Sequence, residues 1–353
     1  MLCSPATSGP HPDRSLQIAA RGRAGSTPQA ALPPPTSQLV SPSLFPSQSS
    51  GQRLPLPPVE LANRSGRIVG TDGSFEAYET AGAELRKAIL GALPPDWDWS
   101  GKRVLDFGCG AGRALRHFGD EASEADFWGC DIHDESVAWI NANLNPPFQA
   151  FVNSEEPPLP QPDGSFDLIY AFSVFTHLTD NWSTWLLELH RLLTPSGILI
   201  ASFLGAGMSE SVTGEEWEED RVGMNVVAER GWDEGGPSVL LSSWWITEHW
   251  GRAFEIDRID SAAGWGTQGQ IVARPKPDPP SKAELERIDS RDSREIEALR
   301  HNIRQLRREA GAARAEVTRT ATGYESSLSW RLTQPLRWVR AKCARWMHGG
   351  RSE

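Results

Sequence analysis

Only four cysteines occur in the 353 residues, Cys3, Cys109, Cys130 and Cys343, and no two form a C-x-x-C pair. That spacing excludes a disulfide framework or a zinc ribbon. It suits reduced thiols in a cytoplasmic protein, and no metal site is indicated. Long apolar runs are missing too: nothing approaches the ~18 consecutive residues of a membrane-spanning helix. The N-terminus has no basic-then-apolar leader, its longest apolar stretch being Ile18-Ala19-Ala20. Positive charge is in short supply, with 35 Lys+Arg against 46 Asp+Glu and a formal net charge of −11.

The charge is distributed unevenly. Residues 1–60 carry a net +2, residues 61–280 a net −19 and residues 281–353 a net +6. An acidic middle disfavours a nucleic-acid-binding core, because phosphate contacts need clustered Lys and Arg. Any anionic surface would be met by the tail.

Residues 1–60 are rich in Pro and Ser, including Pro33-Pro34-Pro35 and Pro57-Pro58, with almost no periodic apolar residues. Such a segment cannot bury enough apolar surface to offset the entropy of ordering it. It is expected to be disordered, and an over-extended gene start would account for it. Order is expected from about Gly66. Residues 61–280 then form one domain, large enough for a single core.

Within that domain strand and helix signals alternate. A helix is predicted over Tyr78–Leu90, stopped by Pro94-Pro95, and a strand over Arg103–Phe107. A glycine loop and a helical stretch, Arg113–Phe118, follow. Further strands are predicted at Asp126–Cys130, Phe148–Val152, Phe166–Phe172 and Ile198–Phe203, with helices at Ser136–Asn143 and Trp182–Leu193. Two late strands, Phe254–Ile259 and Gln270–Arg274, complete the domain. Alternation of this kind implies parallel pairing with right-handed crossovers and helices on both faces of the sheet.

Beyond the proline-rich run 275–280 the pattern changes. Leu285 and Ile288, then Ile296, Leu299, Ile303, Leu306, Ala310, Ala313 and Val317, advance in steps of three and four. The eleven-residue interval from Leu285 to Ile296 reads as a stutter in a coiled-coil helix over residues 281–322. A modest coiled-coil homodimer is one expectation, and a solvated helix packing on its own domain is the other.

The chemistry is concentrated in Val104-Leu105-Asp106-Phe107-Gly108-Cys109-Gly110-Ala111-Gly112-Arg113. Glycines at alternate positions directly after a strand let the backbone pass close under a ligand. A dinucleotide loop would place its third glycine at position 113, where Arg113 stands. Asp106 would repel a pyrophosphate but suits a ligand bearing an ammonium and a sulfonium. Asp131 follows the second strand, where a carboxylate can accept from both ribose hydroxyls.

These residues, with the stretches PPLPQPDGSFDLIYAFSVFTHL and ELHRLLTPSGILIASF, resemble the class I S-adenosylmethionine-dependent methyltransferases over roughly residues 75–275. The resemblance implies a Rossmann-like, doubly wound, seven-stranded sheet with its last strand antiparallel, and S-adenosyl-L-methionine as cofactor. It places Asp106, Gly108, Cys109, Gly110 and Gly112 around the methionine moiety, and Asp131 and Ile132 at the ribose. Asn153 and Ser154 fall at the adenine, in a place where this sequence has no Asp. Phe172 and Ser173 fall near the transferred methyl.

If the acceptor is a hydroxyl, a general base helps. His177 is either that base, or an acceptor-positioning group, or a cap for the next helix. His249 carries the same choice between a catalytic role and packing, and His190 reads as structural. Trp185, Trp217, Trp232, Trp244, Trp245, Trp250 and Trp265 surround the acceptor half. They form either a stacking platform for sugar rings or the core beneath a long insertion.

The tail run Ser327-Leu328-Ser329-Trp330-Arg331-Leu332-Thr333-Gln334-Pro335-Leu336-Arg337 is similar to the end of bacterial glycosyltransferases and methyltransferases of cell-surface polysaccharide assembly. That likeness implies a sugar hydroxyl as acceptor. Alternatives are another small molecule, a protein side chain, or a non-catalytic donor-binding scaffold. Trp and Arg alternating over residues 323–353 would either lie at the inner face of a membrane or dock on the acidic domain.

Overall fold

The structure, a computed structural model, describes residues 54–64, 69–70, 73–213, 216–227, 236–261, 268–333 and 335–337. All of them belong to one compact unit, Ser49–Glu353. The expected disorder of residues 1–53 and the basic stretch after residue 337 lie outside the described residues. Residues 54–60 are described, however. Order starts earlier than Gly66, with helix α1 at Val59–Asn63. Its approach is pinned by Arg116, whose guanidinium donates to Leu54 O at 2.8 Å and Pro55 O at 2.9 Å. A Pro-rich segment with no helical periodicity is thus held by backbone carbonyls, which leave no compositional trace.

Strands β1 (Arg103–Phe107), β2 (Asp126–Asp131), β3 (Gln149–Val152), β4 (Phe166–Ala171), β5 (Leu193–Phe203), β8 (Phe254–Asp260) and β9 (Gly269–Pro275) form one sheet in the order β3-β2-β1-β4-β5-β9-β8. The first five are parallel to their neighbours, and β9 runs antiparallel to both β5 and β8. This is the Rossmann-like, seven-stranded arrangement with an antiparallel last strand. Helices α2 (Glu76–Leu90) and α3 (Asp134–Asn143) cover one face, and α4 (Trp182–Leu192) and α6 (Ser243–His249) the other. Arg113–Phe118 forms no α-helix: after Gly112 the chain makes only a 3-10 turn, Leu115–His117. A short helix, α5 (Ala206–Thr213), follows β5. A hairpin of β6 (Met224–Val227) and β7 (Ser238–Leu241) forms a second, unanticipated sheet.

Side chains of a strand alternate between faces, and β1 shows it. Leu105 and Phe107 enter the core under α4, while Val104 enters the core under α2 and α3. Asp106 therefore shares Val104's face, and its register partner on β4 is Tyr170, which packs in that same core.

The C-terminal helix begins later than the apolar periodicity implies. Leu285, fully buried, lies in a separate one-turn helix, α7 (Lys282–Leu285), closed by a Ser281/Glu284 capping box. Helix α8 starts at Ser293, where Asp292 caps by accepting from Arg294 N at 2.8 Å, and runs to Ser326. The eleven-residue interval is therefore a break between two helices rather than a stutter in one. A last short helix, α9, spans Leu328–Leu332.

Candidate active site

The glycine loop leaves β1 at the sheet's carboxyl end, and three of its residues have left-handed backbone: Gly108 (φ +81°), Gly110 (φ +52°) and Gly112 (φ +76°). At Gly108 the need is double, since a Cβ there would also stand 2.5 Å from Val174 Cγ2. Two bonds hold the loop to β2, as Gly108 N and Cys109 N both donate to Cys130 O, at 2.9 and 3.0 Å. Gly112 serves packing: a Cβ on it would stand 3.0 Å from Leu144, just past the end of α3, and in contact with Ile140 of that helix. It seats the loop on that helix and is absent from the pocket lining.

Asp106, Gly108, Cys109, Gly110 and Phe172 line a pocket together, joined by Arg113, Tyr78 and Tyr170. Leu61 and Ala62 of α1 also line it. Asp131 buttresses it: its carboxylate accepts from Gly110 N at 2.8 Å through one oxygen and from His133 N at 2.9 Å through the other. Asn153 follows β3 and donates its backbone N–H to Asp131 O at 3.1 Å. Its side-chain amide donates to Ser154 O, which leaves a buried Oδ1 accepting from no described residue. Ile132 exposes 39% of its surface next to Asp131, an apolar edge unusual for a loop so close to the core. Ser173 has φ +57°, rare for a non-glycine residue. Its backbone N–H donates to Ser202 Oγ at 2.8 Å, and its hydroxyl meets the Gln268 amide at 3.0–3.3 Å.

The electrostatics centre on Asp106. Burial pushes its carboxyl up to about 8; the nearby Asp131 pushes the same way, and Tyr170 and Arg113 oppose it. The Tyr170 hydroxyl stands close to Asp106 but outside hydrogen-bond geometry. Arg113 is itself buried, and burial lowers its pKa while Tyr78 and Asp106 raise it. A carboxyl and a guanidinium thus share a poorly solvated pocket. That pairing fits an amino-acid zwitterion, with the loop backbone free to approach it. Cys109 and Cys130 are buried, and burial raises both thiols well above their ordinary range. That makes them inert packing groups.

His177 stands one turn beyond Val174, to whose carbonyl its N–H donates at 2.9 Å. Its Nδ1 meets Pro237 O at 2.6 Å, a contact that requires the proton on Nδ1. His249 does not join the site. It is 2% exposed, is absent from the pocket lining, and meets Leu285 O through Nδ1 and Glu295 Oε1 through Nε2, each at 3.0 Å. It anchors the C-terminal helices to the domain, so a catalytic role for it is withdrawn. His190 Nε2 meets Lys276 O at 2.8 Å, a structural contact.

The tryptophans resolve the same way. Trp185, Trp244, Trp245 and Trp250 are all buried in the core under α4 and α6, with no ring available to a sugar. Trp217 is half-buried, and its indole N–H donates to Glu219 at 2.7 Å. Trp232 and Trp265 lie outside the described residues.

Sequence reasoning did not single out Tyr78, Tyr170, Leu61 or Ala62. Tyr170 sits in a strand buried on both faces, where apolar and polar positions do not alternate visibly. Leu61 and Ala62 belong to a segment whose composition is that of a linker.

Residues 105–201 match a family model described as a methyltransferase domain. The chain is 30% identical over 174 residues to 27-O-demethylrifamycin SV methyltransferase of Amycolatopsis mediterranei, covering 46% of this chain and 60% of that one. It is 31% identical over 124 residues to phthiotriol/phenolphthiotriol dimycocerosates methyltransferase 1 of Mycobacterium ulcerans, covering 35% and 44%. These matches thus span about half the length of the curated relatives. Among solved structures, an S-adenosylmethionine-dependent methyltransferase from Mesorhizobium loti is similar at a TM-score of 0.41 and 18% identity, covering 58% of this chain and all of that one. Residues 105–201 are thus similar to a methyltransferase domain, and S-adenosylmethionine is the cofactor that the glycine loop suits.

The raised carboxyl of Asp106 has a stability consequence. The native protein holds this proton up to about pH 8, whereas the unfolded chain releases it near pH 4. Between those values the unfolded state binds fewer protons, so burying Asp106 costs more stability as pH rises. Asp106→Asn removes that cost. In the donor-free protein its thermal midpoint should exceed the wild type's by more at pH 8.5 than at pH 5. An equal difference at both pH values would contradict the buried, proton-bearing state.

Proposed function

We propose that the protein transfers the methyl group of S-adenosylmethionine to a hydroxyl of a small or glycan acceptor. The observation that carries this is the glycine-lined pocket in which Asp106 and Arg113 are buried together, inside the segment that matches a methyltransferase domain. When bound, the cofactor supplies an electrophilic methyl on a sulfonium. Asp106 meets its ammonium, and Arg113 its carboxylate. Asp131, already aligned by two backbone N–H groups, takes the ribose. The orphaned Oδ1 of Asn153 accepts from the adenine amino group, and Ile132 lies along the ring.

Methyl transfer is an in-line displacement, so alignment and exclusion of water supply most of the catalysis. Phe172 and Ser173 shape the wall where the methyl leaves. His177 does not line the pocket, but it stands in the loop after β4 that packs on Gly108, its Nδ1 meeting Pro237 O. It is the group assigned to take the acceptor's hydroxyl proton as the oxygen–carbon bond forms and the sulfonium's carbon–sulfur bond breaks.

For the acceptor, we favour a sugar hydroxyl of surface-polysaccharide assembly, on the strength of the tail run. In that run Ser327 caps α9, and the Arg337 guanidinium stacks 3.6 Å from the Trp330 ring centroid while donating to Thr333 Oγ1 at 2.6 Å. The fold-back leaves Leu328, Leu332 and Leu336 each more than 70% exposed. This stripe beside Arg331 and Arg337 suits peripheral contact with an anionic membrane face. A lipid or other small-molecule acceptor is the second reading. Relatives named as a fatty-acid O-methyltransferase of Mycolicibacterium smegmatis and as the demethylrifamycin enzyme support it.

Purified protein given methyl-labelled donor and membrane and polysaccharide extracts should label carbohydrate. Label confined to lipid favours the second reading. Label confined to protein contradicts both, and no label at all would leave a donor-binding scaffold. With the acceptor in hand, His177→Ala should lower kcat by about 100-fold or more while donor affinity holds. A loss of only a few-fold makes His177 a brace for Pro237. The full chain should float with anionic vesicles and lose flotation when Leu328, Leu332 and Leu336 become Ser. Equal recovery of both proteins contradicts membrane contact by the stripe.

A further inference from the structure

Helix α8 has two unlike halves. Near its start it is fastened to the domain. Glu295 meets His249, Ala298 is buried, the Asn302 amide donates to Met224 O at 2.9 Å, and Gln305 accepts from Asn225 at 2.6 Å. From Leu306 to Ser326 every residue is exposed. At 1.5 Å per residue this exposed half is about 30 Å of helix.

Its core positions nonetheless keep a heptad, apolar up to Val317 with Thr320 the one polar member. Ile296, Ile303, Ala310, Val317 and Tyr324 occupy one core position of the repeat, and Leu299, Leu306, Ala313 and Thr320 the other. Ile303, Leu306, Val317 and Tyr324 are each 48–69% exposed, an unusual density of apolar surface along one helix face. The face that grips the domain (Glu295, Ala298, Asn302, Gln305) lies beside this seam rather than on it, so the seam remains open. β-Branched residues at the first core position with Leu at the second are the pattern of two-stranded parallel coiled coils.

The flanking charges fix the partner and its direction. The position after each Leu-type core residue is Arg300, Arg307 and Arg314, and the position before each Ile-type core residue includes Glu309 and Glu316. In an antiparallel pair these flanks would face their own kind, Arg against Arg and Glu against Glu. In a parallel, in-register pair Glu309 of one chain faces Arg314 of the other, twice by symmetry. A helix carrying both halves of its own charge complement selects a second copy of itself.

We infer that the exposed half of α8 is a dimerisation element, forming a parallel, two-stranded, in-register coiled coil with the same segment of a second copy of this chain. The two Ala core positions let the helices approach closely but bury little surface. The association is accordingly reversible, and it is independent of the methyl-transfer reading.

Sedimentation equilibrium on the full-length protein tests it. The wild type should be a monomer–dimer system. Ile303→Glu combined with Leu306→Glu should be monomeric, with unchanged circular dichroism of the folded domain. Arg314→Glu alone and Glu309→Arg alone should each weaken association by about tenfold, two like-charge contacts replacing two ion pairs. Mixing these two variants pairs each glutamate with an arginine and should restore the dimer. A wild type that stays monomeric at ~100 µM overturns the inference. So does a trimer, a dimer that survives the Ile303/Leu306 change, or an Arg314→Glu protein that associates more tightly than the wild type, as an antiparallel pair would.

Discussion

The carboxylate of Asp131 is the constraint on which the glycine-loop pocket depends. It stands at the end of β2, yet one of its oxygens takes a backbone N–H from the loop that follows β1, and the other takes one from the start of α3. It thereby adds to the two backbone bonds from Gly108 and Cys109 to Cys130 O and fixes the loop, the end of β2 and the start of α3 to one another. The glycines make this possible, because only at positive φ can the loop turn its N–H groups toward β2 while its other side faces the pocket. Asp106 lies at the buried end of this pocket, where burial favours its protonated form.

The rest of the domain separates shape from chemistry. One face of the sheet, under α4 and α6, is filled by Trp182, Trp185, Trp244, Trp245 and Trp250 with aliphatic residues and supplies rigidity. The other, under α2 and α3, closes around the pocket through Tyr78, Tyr170 and Phe172. Histidine follows the same division. His249 joins the domain to α8, packed against the Trp245 ring at 4.4 Å and bonded to Glu295. His177 belongs to the loop that packs on Gly108. Replacing either partner of the buried His249–Glu295 contact would leave the other without compensation, so this join is stiff.

The sheet was legible because most of its strands are short apolar runs bounded by turn residues, and the glycine loop because its spacing has few other uses. Boundaries moved where a side chain, not a periodicity, decides them. Asp292 and the Ser281/Glu284 box divide what reads as one heptad helix, and Gly112 stands against Leu144, off the pocket lining. The β6–β7 hairpin and the strap at residues 54–63 escaped notice for a related reason. Their order comes from distant partners, α8 for the hairpin and Arg116 for the strap. Tryptophan was the most misleading composition cue, since a ring that can stack on a sugar fills a core equally well. Burial alone distinguishes the two.

The central claim is that this loop and its two carboxylates form a donor site. Isothermal titration of S-adenosylmethionine into the full-length protein tests it most directly, with Gly108→Ala and Asp131→Ala as comparisons. The account predicts one site per chain at pH 7, with proton release as Asp106 ionises against the ligand's ammonium. The release should appear as a heat that scales with the ionisation enthalpy of the buffer, and both variants should lose at least about tenfold in affinity. No binding by the wild type, or unchanged binding by both variants, would contradict it.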